Sequence, residues 1–209
     1  HLRSEGGIRL IQRAKNDGVA VTMEVNPKYI LHTVEEMDRL GPRCTPYGIG
    51  RENQERIFAC MREGWVDVLA TDHAPHTRDE LEPGWTDAWS IPFGNPQLDH
   101  YLPALLTRVA EGAISLGALV RMGAENPARL LGLYPRKGAI QVDADADLTV
   151  LDLGQEGTLR DDEVYTKVGW SPYSGRRYKG RAVMTIVRGA IVMQNGKVTG
   201  EPGWGRFVR

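Results

Sequence analysis

The sequence predicts an α/β fold in two parts, a helix–strand alternation over residues 1–134 and a β-rich segment over residues 135–209. In the first part, amphipathic segments alternate with short, apolar, β-branched runs. Such runs suit strands buried on both faces of a parallel sheet or barrel. From Lys137 onward the apolar period shortens to two, with Gly and Asp turns between the runs, and that change marks a domain boundary near residue 135.

Residues 7–16 read as the first helix, with Ile8, Ile11 and Ala14 on one face, Ser4 and Glu5 at its start and Asp17-Gly18 as its stop. Residues 19–25 (VAVTMEV) read as a buried strand that Asn26-Pro27 ends. Residues 51–63 read as a helix with Ile57, Phe58, Cys60 and Met61 as its apolar stripe, and Gly64 closes it. The next strand spans 65–71, with Asp72 just beyond it. A long Pro/Gly/Trp-rich loop over 77–96 leads to helices at 97–111 and 115–125, the latter capped by Ser115. Asn126-Pro127 is expected to break that helix, and 128–133 to add a short helical turn. Short strands follow at 142–143, 148–152, 182–187 and 190–193, closing on the hairpin turn Gln194-Asn195-Gly196. The residues beyond 200 read as a loose tail.

The formal net charge of −1 points to neither nucleic acid nor an anionic membrane as partner. No apolar run approaches the ~20 residues of a membrane helix, and no signal peptide is legible. Cys44 and Cys60 form no metal or redox spacing and read as buried free thiols, which suits a cytoplasmic location. Residue 1 is His1 rather than Met, so the chain reads either as trimmed or as beginning partway along a longer gene product.

The chemistry concentrates in Ala70-Thr71-Asp72-His73-Ala74-Pro75-His76. An apolar strand delivers a carboxylate and two imidazoles to the loop at its C-terminal end, the face on which parallel barrels build active sites. A carboxylate there can ligate a metal and take a proton from an attacking water. Pro75 sets the angle at which His76 projects. The competing reading is an Asp that caps a loop beside two surface histidines.

This string resembles the final metal-ligand motif of dihydroorotases, within the amidohydrolase superfamily, and the resemblance runs over nearly the whole chain. His1-Leu2-Arg3-Ser4 is similar to the family's barrel histidine, usually followed by Val-Ser-Thr. Val21-Thr22-Met23-Glu24-Val25-Asn26-Pro27 resembles the strand that comes next, and Ile91-Pro92-Phe93-Gly94 the substrate-side loop. Asn126-Pro127-Ala128-Arg129, Lys137-Gly138 and Asp143-Ala144-Asp145-Ala146-Asp147-Leu148 resemble the return into the accessory domain, a mark of the superfamily at large.

The resemblance implies the C-terminal part of a (β/α)8 TIM-like barrel followed by a small β-rich, sandwich-type accessory domain. It implies His1 as ligand of the second metal of a binuclear zinc site, and Asp72 as ligand of the first and general base. His76 would hold the substrate's carboxylate, and the backbone from Pro92 to Gly94 would meet the ring amide. The implied reaction is reversible hydrolysis of dihydroorotate to carbamoyl aspartate in pyrimidine biosynthesis. The implied assembly is a homo-oligomer, with another pyrimidine-pathway enzyme as a further partner. The family's His-x-His pair, bridging carboxylate and a further histidine come from earlier strands and have no counterpart in residues 1–209, so this stretch alone is expected to be inactive. Two places depart from the family. Thr45-Pro46-Tyr47-Gly48-Ile49 stands for Asn-Pro-Pro-Leu-Arg, and Pro27-Lys28-Tyr29-Ile30 for Pro-His-His-Leu. They leave two alternatives open: a hydantoin, dihydropyrimidine or allantoin as substrate, or a non-catalytic scaffold subunit.

Four further features carry less. His32 and His100 have no partner spacing and read as surface or core-edge residues rather than ligands. Asp143, Asp145 and Asp147 lack the glycine and glutamate of a calcium loop and read as turn residues. Trp85 and Trp89 either line the pocket as a lid or anchor the long loop. Lys167 and Ser171-Pro172-Tyr173 resemble the accessory domain's return strand, with no chemistry implied.

Overall fold

The computed structural model describes residues 1–44 and 49–208. Of the departure at positions 45–49, only Ile49 therefore lies among the described residues. Helix α1 (Glu5–Asn16) begins two residues before the expected 7–16, directly after the expected cap, with the Ser4 hydroxyl accepting the Gly7 N–H at 3.2 Å. Strand β1 (Glu24–Val25) pairs in parallel with β2 (Val68–Leu69), Glu24 against Val68 and Val25 against Leu69. Leu2 bridges Val25 in parallel on β1's other side, so three extended segments lie in one parallel layer. Both strands are much shorter than the apolar runs predict. A strand lasts only where a neighbour takes its backbone groups, and Val19, over half exposed, sits in a local turn.

Helices α2 (Pro27–Leu31) and α3 (Val34–Leu40) follow β1, and α4 (Arg51–Arg62) packs beside α1. After β2 come the short α5 (Arg78–Leu81), the longer α6 (Tyr101–Ala110) and α7 (Leu116–Val120). Asn126-Pro127 does not break the next segment. A π-helical turn, Arg121–Glu125, joins α7 to α8 (Asn126–Leu130) without interruption. The Asn126 N–H reaches back to the Arg121 carbonyl, and this wider turn passes the proline ring that an α-helical one would meet.

The C-terminal part is a four-stranded antiparallel sheet in the order β3 (Leu148–Thr158), β4 (Arg177–Val187), β5 (Ala190–Gln194), β6 (Lys197–Val198). The Asn195-Gly196 pair makes the last hairpin, both residues at positive φ (49° and 76°), as a two-residue turn demands. The strand expected at 142–143 is absent: that stretch is turn, with Asp143 at φ 68°. No strand forms around Lys167 or Ser171-Pro172-Tyr173 either, which are turns. Tyr173 is fully buried, its ring stacked on His32 and its hydroxyl donating to Gln97 Oε1. The tail is held by Trp204, whose indole N–H donates to the Val187 carbonyl at 3.1 Å.

One core runs through both parts. Ile8, Val25, Ile57, Phe58, Leu105 and Leu106 share it with Leu159, Tyr173 and Tyr178 from beyond residue 135. A smaller cluster of Leu81, Ile91 and Trp170 ties the loop after β2 to the same region. No helix among the described residues is long and apolar enough to cross a membrane. Both cysteines are free and buried, and burial raises the Cys44 thiol to about 11.

Candidate functional site

Strand β2 ends at Leu69, and the chain turns sharply at Asp72, whose φ of 48° lies in the left-handed region. A non-glycine residue there is strained, though aspartate tolerates the conformation better than most, and such strain gathers at functional sites. The turn aims the Asp72 carboxylate back at the first residues of the chain. Its Oδ2 lies 3.5 Å from His1 Nε2 and 2.7 Å from the Lys28 ammonium. His1 in turn contacts Glu24 Oε1 through Nδ1 at 2.7 Å. Asn26 braces the arrangement across the strand ends, its amide donating to the Thr71 carbonyl at 3.0 Å and its carbonyl oxygen accepting the Lys28 N–H at 3.0 Å.

This geometry has a chemical reading. With Nδ1–H given to Glu24, a neutral His1 ring turns the lone pair of Nε2 toward Asp72. A lone pair and a carboxylate facing each other want a cation between them. A carboxylate on the far ring nitrogen is also how metal-bound histidines are oriented. An imidazole nitrogen and a carboxylate oxygen 3.5 Å apart have the chemistry of neighbouring ligands in a site for divalent ions. Among the described residues no group of three or more His, Cys, Asp or Glu side chains converges to complete it. Burial raises the Glu24 carboxyl above its ordinary value, and the Asp72 charge adds to that.

The second imidazole of the motif, His73, is turned inward: its Nδ1 accepts the backbone N–H groups of Gln97 and Leu98 at 2.9 and 3.2 Å. His76 faces Glu80, Nδ1 to Oε2 at 3.7 Å, and its carbonyl accepts the indole N–H of Trp170 at 2.8 Å. Gly94 lies against the motif loop so closely that a Cβ there would stand 2.4 Å from the Ala74 carbonyl oxygen and 3.2 Å from the His76 ring. The backbone N–H of Ala74 also bonds the Asn95 carbonyl at 3.3 Å. The loop carrying Pro92 and Gly94 is therefore seated on the loop carrying Asp72 and His76. Beside it lies a cavity of about 160 Å³, lined by Cys44, Trp85, Ile91, Pro92, Phe93 and Gly94 among others, which Asp72 and His1 do not line. Trp85 stacks its ring over Gly41, where a Cβ would come within 2.2 Å of it, whereas Trp89 is almost wholly exposed.

Three expectations about single residues change or sharpen. His32 and His100 are not at the surface; both are buried. His32 stacks on Tyr173 at 4.9 Å and contacts the Arg176 guanidinium through Nδ1 at 2.8 Å. Asp145 and Asp147 pair with Lys137, and Asp147 accepts the Arg188 N–H, which is turn chemistry. Lys28, Glu24 and Asn26 are site residues that sequence reasoning missed. The signal for Lys28 was its departure from the family's Pro-His-His-Leu: a lysine embedded among apolar residues just past a strand end.

The strand ends of a parallel layer thus present a carboxylate to an imidazole, on the edge where α/β barrels build their sites. A model of the amidohydrolase family matches residues 9–193, and the chain belongs to that family. An L-hydantoinase of Paenarthrobacter aurescens is 36% identical over 211 residues, covering 100% of this chain and 46% of its own length. A dihydroorotase of Methanothermobacter thermautotrophicus is 38% identical over 208 residues, again 100% of this chain and 46% of its own length. The solved structure of an L-hydantoinase (dihydropyrimidinase) from Arthrobacter aurescens superposes with a TM-score of 0.94 at 36% identity, over 99% of this chain and 47% of that one. A dihydropyrimidinase from Brevibacillus agri does so with a TM-score of 0.93 at 27% identity, over 100% of this chain and 47% of that one. The chain spans about half the length of the curated relatives it matches.

Proposed function

We propose that this chain is the C-terminal part of a (β/α)8 barrel, residues 1–134, with a β-rich accessory domain, residues 135–209, in a metal-dependent hydrolase of cyclic amides. The observation that carries the reading is the Asp72 carboxylate, held in a left-handed turn with Oδ2 3.5 Å from His1 Nε2. Asp72 would hold the first metal and His1 the second of a binuclear pair, zinc first among candidates, with the remaining ligands contributed by a longer protein. When bound, a divalent ion polarises the amide carbonyl and lowers the pKa of water toward ~7. The chain's own residues do the rest. Asp72 accepts the proton of the attacking water and passes it to the ring nitrogen as the C–N bond breaks. Glu24 orients His1 through Nδ1. The 92–94 loop, seated on the motif loop, presents its backbone to the ring amide.

The substrate we favour is dihydroorotate. His76 places a donor beside the motif that suits a carboxylate on the ring, and among the relatives are several dihydroorotases. An L-hydantoinase of similar identity supports a hydantoin as the alternative. Hydrolysis of dihydroorotate and of hydantoin by the full-length protein decides between them: a higher kcat/KM for hydantoin overturns the dihydroorotate reading. Asp72→Asn is expected to lower kcat/KM by ~10²-fold or more, the range of general acid–base catalysis. Activity within a few-fold of the parent would remove Asp72 from the mechanism. The Lys28–Asp72 contact favours a second reading, a non-catalytic scaffold whose carboxylate is already neutralised. Less than one bound zinc per full-length chain at saturating zinc would decide for it.

A further inference from the structure

Lys28 is the least expected charge in the molecule. Its side chain is 4% exposed, its ammonium lies 2.7 Å from Asp72 Oδ2, and the Tyr29 ring flanks it at 5.2 Å. A buried ammonium persists only with a partner, and Asp72 is the carboxylate the structure gives it. The same oxygen is the one that faces His1 Nε2. Two cations cannot both sit close to one carboxylate oxygen without repelling each other. The Asn26 bridge fixes Lys28's backbone to that of Thr71, so the ammonium is delivered to this place by the fold rather than by a free surface side chain.

We propose that Lys28 is a positioning residue that competes with the divalent ion for Asp72: it holds the carboxylate in place and weakens the site's grip on metal. This inference rests on the metal-site reading above. It predicts a site that loads slowly and exchanges its metal readily, because the ammonium must be displaced from Asp72 Oδ2 as the ion enters.

The test is equilibrium zinc binding to the full-length protein, measured by competition with a chromogenic chelator. Lys28→Met keeps the length of the side chain and removes the charge; it should bind zinc at least tenfold more tightly. Lys28→Arg keeps the charge and should bind as weakly as the parent. Circular dichroism checks that each variant folds, and Lys28→Gln replaces Lys28→Met should the latter not fold. Unchanged or weaker zinc binding by the folded neutral variant, with Asp72→Asn showing the loss of affinity expected of a ligand, overturns the role of Lys28 and leaves the metal site standing. Zinc binding unaffected by Asp72→Asn overturns the metal-site reading itself.

Discussion

At Gly94 the side chain matters by being absent. An added methyl group would stand 2.4 Å from the Ala74 carbonyl oxygen and 2.9 Å from the Ala74 methyl, distances that real contacts do not reach. Backbone, not a flexible side chain, is in the way, so the two loops must part. Gly94→Ala is expected to cost about 1–3 kcal/mol, the usual penalty of overpacking, read as a lowered denaturant midpoint. A midpoint within error of the parent would mean that the loops are not held together as described. Asp72 stood out in the sequence because a carboxylate and two imidazoles, His73 and His76, at a strand end are chemically conspicuous; His1 stood out only by its resemblance to the family's barrel histidine. Glu24 and Lys28 did not. A glutamate in a strand and a lysine in a helix are ordinary until the chain brings Glu24 to His1 and Lys28 to Asp72, from 23 and 44 residues away.

At the scale of elements, the joint between α6 and β4 is the one most exposed to a single change. Gly180 has φ 94°, and a Cβ there would lie 2.9 Å from the Leu106 Cβ. Gly180→Ala meets both the conformational and the steric penalty. A loss of about 2 kcal/mol or more is expected, measured as a fall in Tm; a change under ~0.5 kcal/mol would place the helix away from the strand. The helices with strong apolar stripes, α1 and α4, were legible to within two residues, since period and caps are local properties. Strand β3 ran six residues further than predicted, through Leu153-Gly154-Gln155-Glu156-Gly157-Thr158. Nothing in that polar, glycine-rich stretch signals a strand. It extends because Arg177–Lys179 lies alongside, and an irregularity between Asp152 and Glu156 absorbs the misfit.

For the whole molecule, His32 is a buried group whose protonation is coupled to folding. Burial and the neighbouring Arg176 guanidinium hold it well below its ordinary value of 6.5. Contacts to Leu31, His32 and Glu36 bring Arg176 from the C-terminal part onto α2 and α3, so the ring sits at the seam between the two halves. The sign follows from linkage. Below 6.5 the unfolded chain binds a proton that the folded chain refuses, so stability falls as pH drops through that value. The slope from this group is at most ~1.4 kcal/mol per pH unit. Denaturant midpoints between pH 7.5 and 5.5 should show it, and His32→Gln should flatten the difference. An equal slope in the variant would assign the effect to other groups.

The sequence by itself determined the alternation of helix and strand, the change of texture near residue 135, the hairpin at Asn195-Gly196 and the position of the Asp72 motif. Each of these is written in spacing or in turn chemistry within a dozen residues. Only the tertiary structure decided how short the parallel strands are, that Asn126-Pro127 is passed by a π-turn, that one core unites both parts, and that Lys28 and His1 face the same oxygen of Asp72. Those outcomes depend on which distant segment supplies a hydrogen bond, a packing face or an opposite charge, and no local pattern carries that information.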